Sequence, residues 1–274
     1  MKIKYLGTAA AEGIPALFCE CDTCKKAKRL GGKNIRTRSQ TIIDNKILID
    51  FPSDTYMHYL KYDFPLSRIK TCLITHSHCD HLYVDDAIMR DDICSHISNK
   101  ETLIFYSAES GYKMLKTLID KYNMFKDVSV VLIEPFKPFL AEGYKVTPLE
   151  ASHYPESTPV IFLIEKDGKS LLYSNDTSEY PDCTWEFLKE KKINFISMDC
   201  TEAVSDAAYM GHLTLKRNLV MRERMYNMGI ADKETVFALN HFSHNGGNVT
   251  YDDFSKIAEK YGYLVSYDGM EYDI

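Results

Sequence analysis

The residues best suited to metal chemistry lie in one short stretch, Thr75–Leu82, which reads Thr-His-Ser-His-Cys-Asp-His-Leu. His76, His78 and Asp80 are two positions apart, so in an extended chain their side chains point to one side. His81 can join them if the chain turns after the motif, where a helix is predicted. Neutral imidazoles and a carboxylate suit Zn²⁺, Mn²⁺ or Fe, and four such donors exceed what one catalytic ion usually takes from a protein. The surplus indicates two ions rather than a solvated polar turn.

Three further polar residues, His153, Asp176 and His241, each come directly after a strand-like apolar run. Taken singly, each is more often an ordinary loop or capping residue. Because they follow a motif that still needs donors, we interpret them as candidate ligands of the same site.

A second group of donors lies near the start of the chain, where residues 18–24 read Phe-Cys-Glu-Cys-Asp-Thr-Cys. Cys19, Cys21 and Cys24 could close tetrahedrally around one ion if a fourth ligand came from elsewhere. His244 follows His241 by three positions and is a candidate for that ligand. The pattern predicts a structural zinc site, the alternative being reduced surface thiols.

Charge and apolar content narrow the classes of protein. The 274 residues include 33 Lys and Arg against 39 Asp and Glu, a net charge of −6, which argues against broad nucleic-acid binding. The longest apolar runs are strand-sized and far shorter than the ~18 residues that span a bilayer. The start of the chain has no signal-peptide core. We therefore expect a cytoplasmic protein whose cysteines are ligands or core residues rather than disulfides.

The elements that must position these residues are mostly strands. Strand-like segments are predicted at Ile3–Leu6, Thr41–Ile43, Lys46–Asp50, Thr71–Ile74, Thr102–Tyr106, Val128–Ile133, Lys145–Leu149, Val160–Glu165, Ser170–Ser174, Asn194–Met198, Thr235–Ala238 and Tyr263–Ser266. Helical periodicity occurs at Asp54–Tyr62, Val84–Asp92, Ser110–Tyr122, Cys183–Lys191, Thr214–Asn227 and Tyr251–Tyr261.

The order of these elements indicates the fold class. Asp44-Asn45 and Asp167-Gly168 each separate two strands and suit hairpin turns, and Thr214 suits a helix N-cap. Hairpins come first, followed by strands mixed with helices, with no linker or repeat. We expect an α+β fold in which two sheets pack face to face with helices outside, forming one domain over residues 1–274.

These motifs resemble those of the metallo-β-lactamase superfamily, in which His-x-His-x-Asp-His is followed by a His, an Asp and a His, each at a strand end. The resemblance covers nearly the whole chain, from Leu6-Gly-Thr to His241. It implies a four-layer αββα sandwich with a dinuclear site at one edge. It also implies a division of ligands in which one ion is held by His76, His78 and His153, the other by Asp80, His81 and His241, and Asp176 bridges. True lactamases have a Cys in place of Asp176.

Three branches of the superfamily are relevant. The early Cys-x-Cys-x-x-Cys together with His-x-x-His near the end looks like the PhnP-type phosphodiesterases, which open cyclic phosphodiesters such as phosphoribosyl cyclic phosphate. PqqB-like proteins share the early cysteines, but many lack the complete ligand set that this chain has. The tRNA 3′-processing endonucleases share the dinuclear ligands but carry a basic, Gly-rich arm with no counterpart in this sequence.

The phosphodiesterase branches also place a His in a segment similar to Gly211–Thr214. By this resemblance His212 would protonate or orient the leaving alkoxide. Asp199 or Glu202 could orient its imidazole, and the residues do not decide between them. The alternative is a helix-terminal His without a chemical role.

The function expected from these observations is hydrolysis of a small phosphodiester, cyclic and phosphoribosyl- or nucleotide-like, at two Zn or Mn ions, with one structural Zn elsewhere. Two ions ~3.5–4 Å apart lower the pKa of a shared water toward ~7. Two other classes stay open: a metallohydrolase of esters, lactones or thioesters, and a non-catalytic carrier of the PqqB-like kind. Membrane and nucleic-acid partners are not expected, and a homodimer is left open. Arg36, Arg38 and Lys216 could meet a substrate phosphate or lie on a solvated surface.

Overall fold

The computed structural model describes residues 1–206 and 211–274, whose strands form two seven-stranded sheets. The first sheet contains β1 (Lys2–Gly7), β2 (Gln40–Ile43), β3 (Ile47–Ile49), β4 (Thr71–Ile74), β5 (Leu103–Ser107), β6 (Val128–Leu132) and β14 (Glu271–Asp273). The second contains β7 (Phe139–Ala141), β8 (Tyr144–Glu150), β9 (Val160–Lys166), β10 (Lys169–Ser174), β11 (Phe195–Asp199), β12 (Val236–Asn240) and β13 (Leu264–Val265). The strand orders are β14-β1-β2-β3-β4-β5-β6 and β13-β12-β11-β10-β9-β8-β7.

Helices cover the outer faces of both sheets. They are α1 (Asp22–Leu30), α2 (Thr55–Tyr62), α3 (Glu109–Tyr122), α4 (Asp182–Leu188), α5 (Leu215–Asn227) and α6 (Tyr251–Ala258). Leu115 of α3 joins the apolar core outside the first sheet, and Trp185 of α4 joins the core outside the second. Tyr5 and Phe162, one from each sheet, are buried in the core between them. This arrangement confirms the predicted α+β, four-layer αββα fold. None of the helices within the described ranges has the length and apolar content needed to cross a membrane.

Most predicted elements are present, with small differences at their ends. Asp44 has a φ of 48° and Asn45 a φ of 54°, the left-handed values that a two-residue hairpin turn requires. Thr214 Oγ1 accepts a hydrogen bond from the backbone N–H of Arg217, as expected of an N-cap. The helix predicted at residues 84–92 is instead a 3₁₀ helix over Val84–Arg90. The strands β7 and β14 and the helix α1 were not predicted.

Because of the directions in which the strands run, the carboxyl ends of several strands lie at one edge of each sheet. Strands β3 to β6 run parallel to one another, and so do β10 to β13. Strand β8 points the same way as β10, because both are antiparallel to β9. The backbone N–H of Val160 donates to the carbonyl of Thr75 (2.8 Å) and joins the two sheets at this edge. The carboxyl ends of β4, β8, β10 and β12 therefore meet there.

Candidate metal centre and catalytic site

The structure brings together the seven predicted active-site donors at this common edge. His76, His78, Asp80 and His81 follow β4, His153 follows β8, Asp176 follows β10 and His241 follows β12. They form two groups, and within each group the donor atoms all lie within 4.8 Å of one another. Asp176 belongs to both groups.

The first group contains His76, His78, His153 and Asp176, each buried or half-buried. Nδ1 of His78 lies 3.0 Å from Nε2 of His76 and 3.2 Å from Nε2 of His153. Nε2 of His76 also lies 3.1 Å from Oδ2 of Asp176. Burial lowers the pKa of His153 to about 4, so its imidazole is neutral and able to act as a ligand near pH 7.

The second group contains Asp80, His81, His241 and Asp176, all of them buried. Nε2 of His81 lies 3.2 Å from Asp80 Oδ2, 3.0 Å from Asp176 Oδ2 and 3.3 Å from Nε2 of His241. The carbonyl of His78 accepts hydrogen bonds from the N–H groups of His81 (3.0 Å) and Leu82 (2.8 Å). This turn directs His81 to the same side as the rest of the motif.

The chemistry of the donor set fits divalent ions. Imidazole nitrogens of neighbouring donors lie 3.0–3.3 Å apart, close enough to bind one ion together. His153 Nδ1 is buried and has no hydrogen-bond partner among the described residues. Buried polar atoms without partners are costly. Neutral imidazoles and carboxylates converging on one carboxylate that is common to both groups match the ligand preferences of Zn²⁺ and Mn²⁺.

Asp50 is a functional residue that the sequence analysis missed. Its Oδ2 lies 2.7 Å from Nδ1 of His81, and its Oδ1 accepts hydrogen bonds from the N–H and the Oγ1 of Thr75, both at 2.8 Å. Both partners of the carboxylate–imidazole contact are fully buried. A carboxylate that accepts the Nδ1–H of a histidine leaves Nε2 free to face a metal. The available signal was an acidic residue directly after β3, at the edge where the motif strand also ends.

Asp199, at the end of β11, holds the other side of the site. Its Oδ1 accepts from the N–H of Leu213 (2.8 Å), and its Oδ2 accepts from Thr201 Oγ1 (2.8 Å). Oδ2 also lies 3.4 Å from Nδ1 of His212 and 3.5 Å from Nδ1 of His241. Burial disfavours the carboxylate, but the contacts with these two imidazoles outweigh it and lower the pKa of Asp199 to about 2.

His212 lies beside the metal ligands, with its side chain 19% exposed. Its Nδ1 is 3.1 Å from Asp176 Oδ1 and 3.4 Å from Asp199 Oδ2. Burial opposes the imidazolium, but Asp199, Asp176 and Glu202 outweigh burial and raise the pKa of His212 to about 9. Asp199 and Asp176 both contact Nδ1 of the ring, and the charge of Glu202 also favours the imidazolium.

Gly211 permits the close approach of this segment to the first group. It has a φ of 97°, which side chains rarely tolerate, and a Cβ on it would lie 2.6 Å from Nδ1 of His153. A residue with a side chain at this position would therefore displace either His212 or His153.

The predicted zinc ligands Cys19, Cys21, Cys24 and His244 also come together, with donor atoms within 4.8 Å of one another. Nδ1 of His244 lies 3.4 Å from the sulfur of Cys21 and 3.6 Å from that of Cys19. Cys21 caps α1, and its sulfur accepts from the N–H of Cys24 (3.4 Å). Three thiols and one imidazole match a tetrahedral structural zinc site.

A cavity of ≈280 Å³ opens onto the metal-ligand groups. His212, Tyr154, Glu12 and Glu202 line it together with ligand residues. Among the described residues, no Lys or Arg side chain lines this cavity.

The basic residues considered for phosphate binding lie elsewhere. Arg36 is buried, where it donates to Thr8 Oγ1 and to the carbonyl of Ser266 (both 2.7 Å). Arg38 pairs with Asp54 at 3.0 Å. Arg36, Arg38 and Lys216 are not among the described residues that line the cavity.

Comparison with solved structures identifies the fold. A diphosphatase of the PhnP family is 18% identical with a TM-score of 0.74, covering 100% of this chain and 97% of the other. Zn²⁺-bound PqqB from Methylobacterium extorquens is 17% identical with a TM-score of 0.75, covering 100% of both chains. The short form of human tRNase Z is 15% identical with a TM-score of 0.68, covering 100% of this chain and 99% of the other. At these identities the likeness concerns the fold, and it confirms the metallo-β-lactamase resemblance.

No curated protein sequence matches the chain. The two donor groups in this fold support a metal-dependent hydrolase with a candidate dinuclear site. A protein-family model described as "Anti-Pycsar protein Apyc1" matches residues 39–246, which is more than half of the chain and includes the seven active-site donors. The chain therefore belongs to the family of the Anti-Pycsar protein Apyc1 and has the metallo-β-lactamase fold.

Proposed function

We propose that the chain is a metal-dependent phosphodiesterase that hydrolyses a small phosphodiester. The observation that carries this proposal is the position of His212, whose Nδ1 lies 3.1 Å from the carboxylate common to both ligand groups and whose pKa the neighbouring carboxylates raise to about 9. A phosphodiester releases an alkoxide, a poor leaving group that gains most from a proton donor. When bound, two divalent ions supply positive charge to the phosphate oxygens and lower the pKa of an attacking water.

The residues of the chain have separate tasks in this proposal. The seven His and Asp donors would hold the ions, and Asp50 keeps the imidazole of His81 oriented. Thr201 Oγ1 lies 2.8 Å from Nδ1 of His241 and 2.8 Å from Asp199 Oδ2, so it connects His241 to that carboxylate. Asp199 and Asp176 engage Nδ1 of His212, which leaves the Nε2–H of its imidazolium to protonate the leaving oxygen. Deprotonated His212 is then recharged from solvent, because its side chain is partly exposed.

The cavity favours a small substrate that carries one negative charge. Its volume of ≈280 Å³ lies just below the ~300–1,000 Å³ typical of small-molecule sites. Its walls add the carboxylates of Glu12 and Glu202 but no Lys or Arg from the described part of the chain. A diester monoanion suits these walls better than a monoester dianion or a polyanion such as tRNA. A small cyclic phosphodiester of the nucleotide kind, with no second phosphate group, satisfies both conditions. A phosphoribosyl cyclic phosphate satisfies the condition of size but carries an additional monoester phosphate.

The test is hydrolysis of bis(p-nitrophenyl) phosphate by metal-reconstituted protein, with metal content measured on the same sample. Asp176→Ala should lose bound metal and nearly all turnover. Asp182→Ala, which removes an exposed carboxylate on α4, is the matched control and should keep both. An Asp176→Ala protein that retains both metal and turnover would contradict the bridging role.

Wild-type protein that carries its full metal complement but does not hydrolyse the diester would overturn the proposed function. Lactones and thioesters would then be the next substrates, followed by the non-catalytic carrier class.

A further inference from the structure

A second cavity lies at the opposite end of β4 from the metal ligands, and we refer to it as the distal cavity. It consists of two adjoining parts of ≈540 and ≈260 Å³ that share Ser67, Arg90, His96 and Ile97. None of the residues that line it lines the cavity above the metal ligands. The larger part falls within the ~300–1,000 Å³ typical of small-molecule sites, and the smaller part lies just below that range.

The larger part is lined by cationic side chains. Arg68, Lys70 and Arg90 face it, and among the described lining residues Glu101 supplies the one carboxylate. Lys70 pairs with Glu101 at 2.5 Å, but the two side chains are 40% and 61% exposed, and exposed pairs contribute little. Such a concentration of positive charge is notable in a chain with a net charge of −6.

Arg90 is the residue that most favours an anion-binding site here. It is 9% exposed, and its guanidinium donates to the backbone carbonyls of Asp127 (3.2 Å) and Glu101 (2.7 Å). The carboxylate of Asp127 pairs with Lys100 instead. Within residues 1–206 and 211–274, Arg90 has no carboxylate partner at ion-pair distance. A buried guanidinium whose hydrogen bonds go to backbone carbonyls rather than to a carboxylate gains from an anionic ligand.

The smaller part is apolar and partly open. Phe51 and Leu103 form buried walls, while Tyr59 and Met89 are 41% and 55% exposed beside them. One carboxylate, that of Asp86, also lines it. A ligand body that covers these side chains would remove apolar surface from water.

We propose that the distal cavity binds a small organic anion, with an oxyanion head between Arg68, Lys70 and Arg90 and an apolar body against Tyr59 and Met89. The head can be a carboxylate, a sulfonate or a phosphate, since all three accept hydrogen bonds from guanidinium and ammonium groups. The site does not depend on the proposed phosphodiesterase activity, because it lies apart from the metal ligands.

The test uses the full-length, metal-loaded protein and naphthalene-2-sulfonate as the probe, with 2-naphthol as its neutral counterpart and inorganic sulfate as the head alone. Binding is measured by titration calorimetry. Its location is read from the ¹³C-methyl resonances of Met89 and Ile97. We expect the sulfonate to bind at least ~10-fold more tightly than either partial probe and to shift both resonances.

Charge variants complete the experiment. The double variant Arg68→Gln/Lys70→Gln should weaken sulfonate binding at least ~10-fold. Lys169→Gln/Lys192→Gln removes the same charge at another surface cavity and should leave binding unchanged. The proposal is overturned if the sulfonate does not bind, if the shifts appear elsewhere, if 2-naphthol binds as tightly, or if the control variant loses as much affinity.

Discussion

Asp50 offers the sharpest test of how the site is organised, through the substitution Asp50→Asn. The amide oxygen can still accept from Thr75 as Oδ1 does now, so the loop should stay in place. The amide N–H₂ would replace Oδ2, which lies 2.7 Å from Nδ1 of His81. Nδ1 would then have to accept a hydrogen bond, which moves the imidazole proton to Nε2.

Nε2 of His81 is the nitrogen that faces Asp80 and Asp176, at 3.2 and 3.0 Å. A protonated Nε2 cannot act as a ligand. Metal binding must therefore return the proton to Nδ1, which breaks the new hydrogen bond between Nδ1 and the side-chain amide N–H₂ that Asp50→Asn introduces. Loss of such an outer carboxylate costs 10–100-fold in metal affinity, or about 1.4–2.7 kcal/mol. We expect a loss of this size for one of the two active-site ions.

Competition for zinc with a chromogenic chelator measures this affinity, and urea unfolding of the same protein shows whether the fold is retained. Asp63→Asn is the matched control, because Asp63 is an exposed residue in a left-handed conformation that Asn adopts readily. If Asp50→Asn bound both ions as tightly as wild type, the assignment of Asp50 as the residue that orients His81 would be wrong.

Three further predictions concern other parts of the molecule. His212→Ala should keep its metals but lose ~10²–10⁴-fold in the rate of hydrolysis of a diester with an alkoxide leaving group. The loss should be much smaller with p-nitrophenolate, because this leaving group needs no proton. Equal losses with the two leaving groups would contradict the general-acid role. Cys21→Ala should lose the structural zinc and should unfold at a lower Tm. Cys94→Ala, which removes an exposed thiol, should change neither the zinc content nor the Tm. Metal analysis and thermal unfolding measure these two quantities. Burial lowers the pKa of His58 to about 4 in the folded chain, against about 6.5 unfolded. The unfolded state therefore takes up the proton first, and wild type should lose about 2 kcal/mol more stability than His58→Gln between about pH 8 and pH 5 in urea titrations; parallel pH profiles would refute this.

Local patterns were sufficient for most of the fold. Twelve strands were predictable because alternating or continuous apolar residues mark them, and both two-residue turns carry residues that adopt a left-handed φ. Helix α1 was missed because Thr23, Cys24 and Ala27 are its only buried residues and its N-cap is a cysteine. Strands β7 and β14 have three residues each, too short for a pattern.

The sequence by itself determined which donors belong to the candidate metal centre. The spacing of His76, His78 and Asp80 is a local property of an extended chain, and the donor types restrict the chemistry to metal binding. Strand ends then identified His153, Asp176 and His241, whose proximity the structure shows.

Only the tertiary structure decided which residues support those donors. Asp50 meets His81 across 31 positions, and Asp199 meets His241 across 42. The two sheets create these contacts by bringing distant strand ends to one edge. The burial of Arg36 was likewise decided by the tertiary structure. A sequence pattern cannot distinguish this residue from a surface arginine. Ligand identity is encoded in local spacing, whereas orientation and burial depend on how the sheets pack.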